Sequence, residues 1–189
     1  MPPRFEIIET PIKGLKIIQR KKIEDSRGYL SRFFCMEELE HAGWKKPVAQ
    51  INLTLTKRAG AIRGMHLQID KYSEMKFVSC LAGEIWDVAI DLRKNSNTFL
   101  QSFGVNLSCQ NFKSLLIPEG CAHGFQALKD DCQLLYLHSE QYMPQSEFGV
   151  HPCDPILDIK WPLKITEMSP KDESRQFINK KFRGIDDEM

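Results

Sequence analysis

Short β-prone runs recur along almost the whole chain, each closed within a few positions by turn residues. They fall at residues 15–18, 29–35, 49–56, 76–81, 84–91, 103–107, 114–117 and 132–138. A strand must bury at least one face, and runs this short cannot do so alone. Many of them at close spacing predict an all-β sandwich or barrel. Alternation is clearest in Glu84–Asp91. Ile85, Asp87, Ala89 and Asp91 should face one way, and Trp86, Val88 and Ile90 the other. Ala82-Gly83 reads as a hairpin turn between two such runs. Helical signal is weak. Residues 36–42 allow two turns stopped by Gly43, and Ser169 can cap a short helix running through Asp172 and Arg175.

At 189 residues the chain has room for one domain, with the charged residues 180–189 read as a frayed tail. Its 26 Lys+Arg against 25 Asp+Glu leave a net charge of +1, which offers neither nucleic acid nor an anionic membrane a basic footprint. A small anionic ligand needs only two or three cations in one pocket, and stays open. The six cysteines form no C-x-x-C pair and match no zinc spacing. They read as buried free thiols in a reducing compartment. Residues 1–10 have no apolar stretch of a secretory leader, and no apolar run approaches the roughly 20 residues of a membrane span. The reading is a soluble cytoplasmic protein.

Two segments put polar residues where a sandwich core prefers apolar ones. The first, Gly60-Ala61-Ile62-Arg63-Gly64-Met65-His66-Leu67-Gln68, is followed by Glu74 and Lys76. Strand alternation would set Ile62, Gly64, His66 and Gln68 on one face. The second runs from Ile117 through Pro118, Gly120 and His123 to Phe125. Together they resemble the two halves of the cupin pattern, a small jelly-roll barrel. Metal-binding cupins place a second histidine where Gln68 stands, and a glutamate earlier than Glu74. A transition metal prefers imidazole to a neutral amide oxygen, so only His66 and His123 remain as good ligands and no metal is expected.

The chain resembles the dTDP-4-dehydrorhamnose 3,5-epimerase family from about residue 8 to 178. The matching pieces include Asp25-Ser26-Arg27-Gly28-Tyr29, Gln50-Ile51-Asn52, Ile62 to Gln68 and Asp87 to Arg93. Further on they include Pro118 to Phe125, Tyr136 to Tyr142, Ile159 to Pro162 and Ser169-Pro170-Lys171-Asp172. Against the family pattern, Arg32 stands where many members carry glutamate, Leu67 replaces a common aromatic, and the 54–60 loop is one residue longer. The resemblance implies a homodimer without cofactor that inverts C3, C5 or both in a nucleotide-linked 4-keto-6-deoxy sugar. Such a step feeds rhamnose-type sugars into cell-surface polysaccharide.

Residue by residue, the resemblance makes His66 the general base and Asp172 the carboxylate that orients it. It makes Lys76 the cation beside the enolate and Tyr136 the acid on the opposite face. Arg27, Gln50, Asn52, Arg63, His123, Glu147 and Lys171 match positions that hold the nucleotide-diphosphate sugar, and Tyr142 matches a tyrosine that stacks on the base. Elementary chemistry asks for the same parts. Inverting a carbon beside a ketone needs a base titrating near neutrality, a cation for the enolate oxygen and a second proton donor. His41, His138 and His151 read as surface or structural residues, and Trp44, Trp86 and Trp161 as core or interface aromatics. The rival readings are a metal-dependent cupin enzyme and a non-catalytic sugar-binding cupin.

Overall fold

The computed structural model describes residues 3–186. Their strands are β1 (Phe5–Glu9), β2 (Lys16–Arg20), β3 (Lys22–Asp25), β4 (Gly28–Ser31), β5 (Gln50–Thr56), β6 (Ile62–Gln68), β7 (Lys76–Ala82), β8 (Glu84–Asp91), β9 (Ser102–Ser108), β10 (Lys113–Ile117), β11 (Cys121–Ala127), β12 (Cys132–His138) and β13 (Glu147–Gly149). Two short helices join them, α1 (Met36–Glu40) and α2 (Pro170–Glu173). The larger sheet has the order β1-β2-β10-β7-β12-β5 and the smaller the order β13-β6-β11-β8-β9. Strands β3 and β4 form a separate hairpin. From β5 to β8 the chain changes sheet at every step, as a cupin-type jelly roll does.

That alternation of sheets corrects one expectation. Ala82-Gly83 is not a hairpin turn, because β7 lies in the larger sheet and β8 in the smaller. The glycine is still required. Its φ is +76°, and a Cβ there would stand 2.6 Å from Cys132 Sγ.

Three apolar clusters hold the layers. The first lies between the sheets, where Val78 and Cys80 of β7 meet Ile85 and Ala89 of β8 and Phe125 of β11. The second covers the outer face of the larger sheet, with Leu39 and Trp44 of the α1 region over Phe77, Leu116 and Leu137. The third covers the outer face of the smaller sheet, with Val150, Leu157 and Phe182 over Met65, Val88 and Ile90. Each large apolar side chain left in water would forgo about 1.5–3 kcal/mol, so sheets apolar on both faces need these arms. The split of β8 follows its alternation, with Ile85 and Ala89 inward and Trp86, Val88 and Ile90 outward. Strand β11 is buried at every position, which removes the alternation by which a half-exposed strand is recognised.

The charged end is not a frayed tail over the described part. Ile185 N–H donates to Leu92 O at 2.7 Å and Lys94 N–H to Ile185 O at 2.8 Å. Phe182 stacks on Phe99 and Phe148. These apolar anchors, spaced among the charges, outweigh the polar composition. Residues 187–189 lie outside the described residues. Five of the six cysteines are buried or half-buried and Cys153 is exposed. No helix among the described residues is long and apolar enough to cross a membrane.

Candidate active site

One end of the space between the sheets is left unfilled, as a cavity of about 270 Å³. Strand β6 supplies Arg63 and His66, β7 supplies Lys76, β11 supplies His123 and β12 supplies Tyr136. Lys171 and Asp172 of α2 close one wall.

Strict alternation cannot put Arg63 and His66 in the same cavity, since they are three residues apart. The β6–β11 ladder shifts register between His123, which faces His66, and Phe125, which faces Arg63. Gly64 sits in that shift with φ +127°, and a Cβ on it would lie 2.4 Å from Gly124 Cα. The two backbones approach where neither residue has a side chain. Gln68, predicted on the face of His66, does not line the cavity. Its amide donates to Gln141 O at 3.0 Å and accepts from Met143 N–H at 2.6 Å, which anchors the loop carrying Tyr142.

His66 Nε2 lies 2.5 Å from Asp172 Oδ1. The carboxylate also accepts from Gly64 N–H at 3.4 Å, and Asp172 N–H is capped by Ser169 Oγ at 3.1 Å. The cap is the one expected for the short helix, and it aims Asp172 inward. Burial alone would push the Asp172 carboxyl up, but the hydrogen bond and charge of His66 outweigh it and hold it below its usual range. A carboxylate on Nε2 keeps the proton there and leaves Nδ1 as the basic nitrogen.

Lys76 Nζ donates to His66 O at 3.2 Å and pairs with Glu74 Oε1 at 3.2 Å. Tyr136 is buried, its ring 6.0 Å from that of His123. Burial pushes its phenol well above the usual range, and the Asp87 carboxylate adds to this. The phenol therefore keeps its proton at neutral pH. Arg63 is steadied by Thr56 Oγ1 at 3.0 Å and Leu55 O at 3.3 Å, with its side chain otherwise exposed.

The expected residues thus divide into three groups. His66, Lys76, Tyr136, Asp172, Asn52, Arg63, His123 and Lys171 share the cavity wall. Beside it, Tyr142 donates to Glu147 Oε2 at 2.6 Å, Lys171 Nζ donates to the same oxygen at 2.7 Å, and Gln50 Oε1 accepts from Tyr142 N–H at 3.2 Å. Burial would raise the Glu147 carboxyl, but Lys171, Tyr142, His66 and Arg175 hold it down at about 2. Arg27 belongs to neither group. It lies in the turn of the exposed β3–β4 hairpin and pairs with Asp25 at 2.6 Å.

Four residues that the sequence reading left without a role in the site belong to it. His138, read as surface or structural, lines the cavity and stacks on Tyr136 with ring centroids 6.1 Å apart. It stands two positions after Tyr136 on β12, so period-two alternation carries that signal. Glu74, weighed only as a metal ligand, is buried between Lys76 and His138. Asp87 accepts from His123 Nε2 at 2.7 Å, fully buried. A carboxylate among apolar inward neighbours on β8 was its mark. Arg175 pairs with Glu147, a contact that sequence spacing does not reveal.

The family model for dTDP-4-dehydrorhamnose 3,5-epimerase matches residues 9–180. The chain belongs to that family. Its epimerase relatives include a protein of Methanothermobacter thermautotrophicus, 39% identical over 90% of this chain and 92% of that one, named dTDP-4-dehydrorhamnose 3,5-epimerase. The Shigella flexneri protein of the same name is 37% identical over 91% of this chain and 95% of its own. Among solved epimerase structures, a dTDP-6-deoxy-D-glucose-3,5-epimerase of Legionella pneumophila, bound to dTDP-4-keto-L-rhamnose, superposes with a TM-score of 0.87. It is 39% identical and covers 92% of each chain. The family assignment makes the chain an isomerase and sets aside the non-catalytic sugar-binding cupin.

Proposed function

We propose that this chain epimerises C3 and C5 of a dTDP-linked 4-keto-6-deoxy sugar, with His66 as base, Lys76 as the enolate's cation and Tyr136 as acid. The observation that carries the reading is the meeting of an oriented imidazole, a buried ammonium and a buried phenol around one cavity. The names of the 3,5-epimerase relatives and the ligand of the Legionella structure support the sugar class.

His66 Nδ1 takes the proton from a carbon beside the ketone, and the electron pair moves to the ketone oxygen. The resulting imidazolium is stabilised by Asp172. The Lys76 ammonium meets the charge that develops on oxygen, where a fixed cation in a water-poor site acts most strongly. Tyr136 then gives its proton to the carbon from the opposite face. His66 ends with one proton more and Tyr136 with one fewer, and exchange with water at the cavity mouth resets both. Arg63 and Lys171 offer cations to the diphosphate. Asn52 and His123 contact the sugar nucleotide, with Gln50, Glu147 and a base-stacking Tyr142 along the rim. No metal takes part. Glu74, the carboxylate a metal-binding cupin would draw on, is engaged by Lys76 and His138 rather than grouped with His66 and His123.

We also propose a cytoplasmic homodimer, each chain folding as one domain. The outer face of β5, the edge of the larger sheet, shows Ile51 and Leu53 about 60% exposed (61% and 62%), an edge that a second copy would cover. Arg27 does not line its own chain's cavity and would serve a partner's.

The test is incubation with dTDP-4-keto-6-deoxyglucose in heavy water after exhaustive chelation, with deuterium mapped by NMR. Deuterium at C3 and C5 of an epimerised product is expected. Label at C3 alone would make it a 3-epimerase, the name carried by a 35% identical Streptomyces niveus relative. Activity lost on chelation and restored by one metal would return the metal-dependent reading.

A further inference from the structure

The mechanism leaves unused a chain of polar contacts in the cavity wall. Glu74, just before β7, divides its two oxygens. Oε1 faces Lys76 Nζ at 3.2 Å and Oε2 faces His138 Nδ1 at 2.8 Å. On the far side of the ring, His138 Nε2 lies 3.3 Å from Asn52 Nδ2. The ring is also stacked on Tyr136 at an interplanar angle of 19°, so both its ends and its plane are held.

The chemistry of the end members sets the direction of this chain. A carboxylate beside an ammonium is ionised and can only accept, so His138 Nδ1 carries the hydrogen. The Asn52 amide nitrogen can only donate and it faces Nε2, so Nε2 is the acceptor and the ring's single N–H is the one on Nδ1. That turns the Asn52 amide one way round, with its nitrogen toward His138 and its carbonyl oxygen away from the ring. Without such a partner an amide presents either end at little cost. A carbonyl oxygen can only accept, and the group on a sugar that satisfies it is a hydroxyl. We propose that Glu74 and His138 are positioning residues that fix Asn52 as an acceptor, so that the site selects a sugar bearing a hydroxyl there and rejects its deoxy analogue. This rests on Asn52 contacting the sugar nucleotide, as proposed above.

Two measurements test it. Nitrogen-15 NMR of labelled histidine reads the tautomer directly, without substrate. A hydrogen on His138 Nδ1 is expected, and one on Nε2 overturns the proposal. The second measurement compares kcat/KM for solvent exchange in the parent sugar nucleotide with that in its 2-deoxy and 3-deoxy analogues. The parent enzyme should disfavour at least one analogue by about 10–100-fold, mainly through KM, because the oriented acceptor is left unpaired. In His138→Leu the preference should fall to about 3-fold or less, since the amide can turn. Asn52→Asp added to His138→Leu should restore it, because a carboxylate presents an acceptor either way round. A merely structural histidine would not be rescued so. Preference unchanged in His138→Leu, or absent from the parent enzyme while it epimerises the sugar, overturns the proposal. Failure of the parent enzyme to exchange any sugar proton overturns the proposed function instead, and the tautomer still decides the chain.

Discussion

A proton returned from the second face needs its own donor, and Tyr136→Phe isolates that donor. The phenyl ring keeps the packing against His123 and His138 and removes only the hydroxyl. His66 still takes the proton and returns a deuteron to the face it came from. Epimerisation should fall by about 10²–10⁴, the scale of a positioned acid, while deuterium wash-in to unepimerised sugar falls less. Epimerisation at the parent rate would remove Tyr136 from the role and make Tyr142 the next candidate. At this scale much of the site was legible. His66, Lys76, Tyr136 and Asp172 were picked out by the motif segments and the family resemblance, and the structure brings them to one cavity. Asp87 and Glu74 were visible as carboxylates out of place, but their partners lie 36 and 64 positions away. Pairing at that distance is settled by strand register, which local sequence does not state.

At the level of elements, the site depends on the register shift between β6 and β11. Gly64→Ala puts a Cβ within 2.4 Å of Gly124 Cα and 2.8 Å of His123 O, both backbone atoms that cannot swing aside. Gly28 is a natural control. Its φ of +130° is similar, but a Cβ there meets nothing within 4 Å. Gly28→Ala should cost only the conformational strain, about 1–3 kcal/mol, and Gly64→Ala clearly more. Urea midpoints at unchanged slope would measure both, and equal losses would mean that the close approach is not what holds the ladder. Strand β8 could be read from alternation, its two faces packing into different clusters. Strand β3 could not, being short and exposed throughout. The Ser169 cap that starts α2 was foreseen because it acts locally, but both helices stop earlier than expected, α1 at Glu40 rather than Ala42 and α2 at Glu173 rather than Arg175.

Over the whole molecule, the exposed apolar row on β5 should decide the oligomeric state. Leu53→Lys places a charge in the middle of that row without touching the cavity, which the alternate residues Asn52 and Thr54 line. Sedimentation should give a dimer for the parent chain and a monomer for the variant. A monomeric parent would remove the proposed partner and leave Arg27 without a nucleotide to hold. The sequence by itself determined the all-β class, the turn and cap positions and the residue types that epimerisation needs. The class and the caps follow from local rules of backbone preference and period-two burial, and the choice of site residues from the family resemblance. Only the tertiary structure decided that Ala82-Gly83 crosses between sheets, that the charged end is docked through Phe182 and Ile185, that Arg63 and His66 share one wall, and that Glu74, His138 and Asn52 meet in one row. Each of those depends on which distant strands lie side by side. The free energy that selects the pairing comes from burying three clusters at once, and no single segment contains it.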